Sequence, residues 1–459
     1  MTTSDHHPRV LDQRLFDRRR FLTLAGLGAG GLLAAGCSDG SKRVIGPRTS
    51  PGSTGAPPAG KGGDGGSTTT GAPSNEPAGQ PAQSTKAGAA SSRRLVVIEF
   101  DGGNDGMSTL VPFGLAGYGD LRKRTAFDPK DLVRLDDHVG LPKTLTALHD
   151  KGLAVVQGIG VPKPDGSHFA MMDRWWRGDV SGSAGLPTGF LGRLCDALTD
   201  ASSPLVGLSF GSANHPAMQS ARANTLTIPG GDPGGNLAGA DPNDLVRRSF
   251  QEAFTEMVSA NGGDDWLTAA RRGGRSALDV AMMLAALKDD KQPAEYPGGQ
   301  LAEGLKTAAR LFAADDHLRV VHVPMGGDFD THQDHPNRHS QLMTQLNDAL
   351  VAFLNDLEGR GLRESVLVAT TSEFGRSAKD NGSDGLDHGA ASAVLLAGPV
   401  KAGVHGQHPS LTDLDGDDNL VATIGFDQYY ATIAETWFGI PASDVLPGNP
   451  RPIDGLLTV

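Results

Sequence analysis

From Leu95 onward the chain is punctuated by short, near-continuous apolar runs, most of them followed by polar residues. Leu95-Val-Val-Ile-Glu-Phe100 is the first, and others stand at 153–157, 204–208, 318–323, 365–370 and 393–397. A strand with one wet face alternates apolar and polar side chains, whereas a strand covered on both faces does not. Runs of this kind, separated by helical patterns, predict an α/β fold: a doubly wound, mostly parallel sheet with helices on both faces. The clearest helix is 340–358, where Leu342, Leu346, Leu350, Phe353, Leu354 and Leu357 share one face. It lies between two strands, as a right-handed crossover requires. Residues 241–314 are mostly helical and Ala-rich, and read as an insertion or a helical layer rather than a separate domain.

The first part of the chain has a different character. Residues 38–92 are dominated by Gly, Ser, Thr, Pro and Ala, with too few large apolar side chains to offset the entropy of ordering. They read as a flexible tether. Ahead of them, Arg18-Arg-Arg-Phe-Leu22 resembles a twin-arginine export signal, and the apolar stretch 22–36 follows. That stretch is short for a membrane span, which needs about 20 residues, and fits a signal-peptide core. With five Gly and four Ala it would make a poor stable helix, the other reading open to it. It ends in Leu33-Ala-Ala-Gly-Cys37, which resembles a lipobox, with Ala34 where Leu is usual. The expected organisation is a signal peptide at 1–36, a lipidated Cys37 with its tether at 37–92, and a folded domain at 93–459. The expected location is the periplasm or cell surface, with Cys37 holding the chain to a membrane.

The chain of 459 residues carries 41 Lys+Arg against 53 Asp+Glu, a net charge of −12. That balance argues against a nucleic-acid partner, which would require a basic face. Two cysteines, Cys37 and Cys195, make neither a disulfide framework nor a thiolate zinc site. Cys195 falls in a helical pattern and reads as a small buried apolar residue.

Ligands of an open parallel sheet bind beyond the carboxyl ends of its strands. The unusual polar groups follow strands here. Asp101, Asn104 and Asp105 follow the first, and Gly326-Gly-Asp-Phe-Asp-Thr-His-Gln-Asp-His335 follows the run at 318–323. Ser372-Glu-Phe-Gly-Arg376 follows the run at 365–370, with Gly385-Leu-Asp-His-Gly389 soon after, and Gly166-Ser-His-Phe169 opens a helix. Carboxylates and imidazoles gathered at strand ends suit a divalent cation, zinc or manganese, which would activate water or a hydroxyl and stabilise developing oxyanion charge. Ser167 at a helix start is placed for a nucleophile or an anion. Arg376 could clamp a phosphate or sulfate oxygen, and Asn104 joins these two as a catalytic candidate.

Each cluster also has a plainer reading. Asp101-Gly-Gly-Asn-Asp-Gly106 is a good turn on its own. Glu373 and Arg376 could be a structural ion pair. His335, His339, His405 and His408 read as loop or surface histidines, and Trp175 and Trp176 as packing residues. What raises the functional reading is the convergence of four clusters on one sheet edge.

Taken together, the motifs resemble a bacterial family known as domain of unknown function 1501. They are Asp101-Gly-Gly-Asn-Asp-Gly106, Ser167-His-Phe169, Phe190-Leu-Gly-Arg193, Phe329-Asp-Thr-His332, Ser372-Glu-Phe-Gly-Arg376, Asp387-His-Gly389 and Tyr430-Ala-Thr-Ile433 ahead of Trp437. The resemblance runs from about Arg94 to the C-terminus, and the family's members typically carry twin-arginine signals. It implies an alkaline-phosphatase-like fold, as a remote branch of the alkaline phosphatase and sulfatase superfamily. By that resemblance Asp101 is the first-strand metal ligand, Ser167 the nucleophile, Asp330 and His332 the first metal pair, and His388 the late histidine ligand. Glu373 stands where the superfamily has the carboxylate of an Asp-His pair, but the next residue is Phe374, which binds no metal. Asp328, four residues before His332, is an alternative to Asp330.

Two functions follow. The first is an exported, lipid-anchored, metal-dependent hydrolase of phosphate or sulfate esters, acting on an anionic small-molecule or polymer ester. The second is a non-catalytic cell-envelope binding or assembly protein on a degenerate hydrolase fold, which Phe374 favours. A sulfatase proper would need a Cys or Ser in a Cys/Ser-x-Pro/Ala-x-Arg setting, and Ser167 is followed by His-Phe-Ala-Met.

Overall fold

A computed structural model describes residues 92–200, 205–229, 245–260, 265–287 and 290–459. The expected signal peptide, Cys37 and nearly all of the expected tether lie outside the described residues.

The central sheet has nine strands among the described residues. They are β1 (Arg94–Phe100), β2 (Ala154–Gly160), β3 (Gly207–Phe210), β4 (Thr225–Ile228), β5 (Val320–Pro324), β6 (Val366–Ser372), β7 (Ser392–Ala397), β8 (Gly403–His405) and β9 (Ile424–Gly425). Their order is β8-β2-β7-β6-β1-β5-β3-β4, with β9 also paired to β2. Every pairing is parallel except those of β7, which runs against both β2 and β6. The sheet is therefore mixed but mostly parallel. The carboxyl ends of β2, β6, β1 and β5 share one edge with the start of β7.

Both faces of β1 are covered, which is why its sequence does not alternate. Val96, Ile98 and Phe100 pack beneath helices α5 (Gln300–Ala314) and α6 (His335–Gly359), against Leu305, Phe312, Leu346 and Phe353. Leu95 and Val97 face the other way, into a cluster with Trp175 of α1 (His168–Arg177), Phe190 of α2 (Phe190–Leu198), and Tyr429 and Trp437 near the C-terminus. Full burial of one such side chain contributes about 1.5–3 kcal/mol. Helices α3 (Leu245–Ser259) and α4 (Asp265–Ala286) precede α5. Of the expected insertion, α5 belongs to the sheet's own helical layer.

Three expectations need correcting. The run at 204–208 forms its strand later, at Gly207–Phe210, because Leu205 and Val206 lie ahead of the ladder. Val206 is extended and tied to Asn224 and Arg319 instead. Helix α6 starts at His335, ahead of the expected 340, with Pro336 in its first turn. His335 and His339 are not surface residues: both are buried in that turn. Each nitrogen of His335 meets a hydroxyl, Nε2 lying 2.9 Å from Ser108 Oγ and Nδ1 2.7 Å from Thr331 Oγ1. Cys195 is buried among apolar neighbours, as expected, and burial pushes its thiol up.

Candidate metal centre

Five neighbouring strands bring the polar clusters together at one edge. The loop after β2 leads to His168 at the start of α1. The turn after β5 carries Asp330 and His332. Glu373 directly follows β6, which opens into a hairpin of Arg376–Asp380 with Leu386–His388. In that hairpin His388 stands opposite Arg376.

Four side chains meet at one point. Asp330 Oδ1 lies 3.0 Å from His332 Nε2, 3.2 Å from His388 Nε2 and 3.7 Å from His168 Nε2. His388 Nε2 is in turn 2.9 Å from His168 Nε2 and 3.1 Å from His332 Nε2. The far side of each ring fixes its tautomer. His168 Nδ1 meets Glu373 Oε1 at 2.9 Å, His332 Nδ1 meets Asp387 Oδ1 at 2.9 Å, and His388 Nδ1 meets the Gly166 carbonyl at 2.8 Å. All three partners only accept, so each Nδ1 carries the proton. In the neutral rings the Nε2 lone pair of His388 then faces those of His168 and His332, which is repulsive unless positive charge lies between them. Histidine ligands of metals are oriented in this way, by a carboxylate or carbonyl on the opposite nitrogen. His168, His388 and Asp330 fit a divalent cation, with His332 beside them against Asp330.

Burial pushes the Asp330 carboxyl up, but Arg376, His332 and His168 outweigh it and hold it below the usual carboxylate range. The hydrogen bond from His332, opposed by partial burial, likewise holds Asp387 low. Phe374 is buried and forms the apolar wall of the cluster. Its ring centroid lies 4.8 Å from that of His168 and 4.9 Å from that of His388.

The predicted site residues take different places. Asp330, His332 and His388 converge. Asp328 stays outside, its Oδ1 accepting from the Asp330 amide at 2.8 Å and its Oδ2 facing Arg338 at 3.4 Å. Glu373 is one step removed: its Oε1 orients His168 and accepts from the Gly102 amide at 2.8 Å. Arg376 is fully buried and committed, donating to the Gly103 carbonyl at 2.9 Å, to the Gly102 carbonyl, and to Asp330 at 2.6 Å. As it stands, the guanidinium anchors Asp330 rather than facing a substrate. Asn104 is also fully buried, and its amide is shared among Thr109, Ala393 and His339, so it braces the turn after β1 and reaches no solvent. Asp101 stands at the end of β1, outside the group that meets on Asp330. Its carboxyl is pushed up to about 6, first by desolvation and then by the charges of Glu99 and Glu373. Ser167 is exposed at the N-cap of α1, and its hydroxyl makes no capping bond.

The sequence reading missed His168. It lies inside the Ser-His-Phe motif, directly after the Ser167 hydroxyl, which resembles a nucleophile by its place at a helix start. It also missed Asp387 as the partner of His332. Trp175 packs as expected, whereas Trp176 donates to Glu99 at 2.5 Å. His405 and His408 are only partly covered.

The sequence model of a family described as "Protein of unknown function (DUF1501)" matches residues 152–424, more than half of the chain. No curated protein matches. Solved structures that match include the lipoteichoic acid synthase LtaP from Listeria monocytogenes, at 8% identity over 80% of this chain and 76% of that one, with a TM-score of 0.35. The PsFucS1 sulfatase from Pseudoalteromonas sp. matches at 13% identity over 80% and 72%, with a TM-score of 0.35. Alkaline phosphatase from the Antarctic bacterium TAB5 matches at 13% identity over 68% and 94%, with a TM-score of 0.27.

Proposed function

The chain belongs to the DUF1501 family, and from that premise and its histidine cluster we propose that it is an exported, lipid-anchored, metal-dependent hydrolase of phosphate or sulfate esters. One observation carries the reading: three imidazoles with their Nδ1 protons committed turn their Nε2 atoms toward Asp330, and those of His168 and His332 each meet that of His388. His168, His388 and Asp330 would hold the cation, with His332 next to them, and a set of imidazole nitrogens and a carboxylate oxygen favours zinc over manganese. When bound, such an ion supplies Lewis acidity toward a phosphoryl or sulfuryl oxygen.

The protein's own groups do the rest. Glu373, Asp387 and the Gly166 carbonyl orient the three rings. Arg376 fixes the Asp330 carboxylate. Ser167 presents a hydroxyl free of capping duty next to a cluster histidine, which supports it as nucleophile. Export and anchoring are proposed from Arg18-Arg-Arg-Phe-Leu22 and Cys37, and place the reaction in the periplasm or at the cell surface.

A second reading, a non-catalytic binding or assembly protein, is favoured by one feature. The buried Arg376 guanidinium lies on Asp330 Oδ1, and its positive charge works against a cation there. Metal analysis and turnover separate the two. The hydrolase reading expects close to one equivalent of zinc at this cluster and turnover of aryl phosphate or sulfate. Ser167→Ala is expected to cut that turnover by about 10³-fold or more while the metal stays bound. Metal without turnover would favour the second reading, and a cluster that takes up no metal would sink the first.

A further inference from the structure

The sheet face beneath α1 carries a row of polar residues that the fold does not call for. Glu99 on β1, His322 on β5 and Ser209 on β3 point to the same face of three adjacent strands, and all three are buried. Their neighbours on that face are Leu95, Val97 and Val320. Burying a carboxylate and an imidazole among apolar residues is costly unless each is paired or holds a metal. His215, from the segment after β3, completes the group and is only partly covered.

The contacts are specific. Glu99 Oε2 lies 2.6 Å from His322 Nε2 and 2.9 Å from His215 Nε2, and the two rings stack with centroids 4.0 Å apart. One ligand atom from each of the three residues lies within 4.8 Å of the others. The outer partners hold the donors in place. Trp176 donates to the other oxygen of Glu99 at 2.5 Å, and Ser209 Oγ lies 3.0 Å from His322 Nδ1.

We propose that Glu99, His215 and His322 form a second divalent-cation site, distinct from the cluster on Asp330, with two imidazole nitrogens and one carboxylate oxygen as protein ligands. That set suits zinc or cobalt and leaves coordination positions free. Occupancy requires a tautomer change at His215. Its Nδ1 now accepts from the Ala217 amide at 3.3 Å, so its Nε2 carries the proton. Moving that proton to Nδ1 gives up the long bond from the Ala217 amide and the one Nε2 donates to Glu99, which the shared cation would replace. His322 must likewise give up the Nε2 proton it now donates to Glu99, and its Nδ1 can then donate to Ser209 Oγ. The inference does not rest on the hydrolase reading.

The test is cobalt titration of the full metal-free chain, followed by visible absorption and elemental analysis. The wild-type chain is expected to lose one equivalent on His215→Gln, and a different equivalent on His388→Ala. If the Asp330 cluster takes no metal but this site does, one equivalent remains in the wild type and disappears with His215→Gln but not with His388→Ala. Equal cobalt stoichiometry and spectrum in wild type and His215→Gln would overturn the proposal. Because His322→Ala removes a buried side chain and risks the fold, the partly exposed His215 variant decides. Far-UV circular dichroism of the metal-free proteins is the folding control.

Discussion

Gly102 has a φ of +101°, and a Cβ there would lie 2.4 Å from the Asp330 amide nitrogen and 2.6 Å from Asp328 Oδ1. The turn after β1 and the loop bearing Asp330 therefore touch only because no side chain intervenes. Gly103, at φ +85°, makes room in the same way for the Phe374 ring. Gly102→Ala would meet both a left-handed backbone and a blocked approach. It is expected to destabilise the fold by about 1–3 kcal/mol and to weaken cation binding by shifting Asp330. Urea unfolding and zinc titration check this, and a variant unchanged in both would show that the loop yields freely. At this scale the sequence was partly readable. Asp330, His332 and His388 stood out as polar residues just beyond strands. Asn104, Glu373 and Arg376 stood out equally, because residue type does not reveal whether a side chain turns toward solvent or inward to brace the backbone. His168 went unread beside Ser167 for the same reason.

Strands β1, β2, β5, β6 and β7 were legible because burial on both faces leaves continuous apolar runs. Strand β4, Thr-Leu-Thr-Ile at the sheet edge, is half-covered and gives no such run. The start of α6 was hidden by its composition, since His335 and His339 look like loop residues. Buried polar partners draw them inside: His339 meets Asn104 Oδ1 at 3.1 Å, and Asp105, which takes two hydrogen bonds from Arg122 at 2.8 and 2.9 Å, lies 3.4 Å from His335. Burial pushes the Asp105 carboxyl up, but Arg122 and His335 outweigh it and hold it well below the usual range. A carboxylate depressed in the fold contributes stability that is fully present above its unfolded pKa of about 4 and is lost as pH falls below that. Arg122→Met leaves Asp105 buried without its main partner, and is expected to cost about 3–5 kcal/mol at neutral pH. The variant should also lose less stability than wild type between pH 5 and pH 3. Parallel loss of stability in the two proteins on acidification would show that the pair does not govern this element.

On the scale of the whole molecule, the cluster draws His168, Asp330, His332 and His388 from both ends of the folded chain to one sheet edge. Such a centre is complete only after the sheet has formed. If a cation is loaded there, it enters a finished fold, which is compatible with the folded export that the twin-arginine resemblance implies. How the chain would then stay at a membrane is a separate question of charge and length. Among the described residues no helix is long and apolar enough to cross a membrane. The net charge of −12 offers no general attraction to anionic lipid either. The proposed anchor is Cys37, whose thiol could carry a lipid. Each buried methylene of an acyl chain contributes about 0.8 kcal/mol, and stable anchoring takes more than one chain. Cys37→Ser removes the proposed attachment point and changes no residue of the described domain. It is expected to move the protein from the membrane fraction to the soluble fraction of the native host, with metal content per chain unchanged. A variant that still sediments with membranes, and resists high salt, would place the anchor elsewhere in the chain.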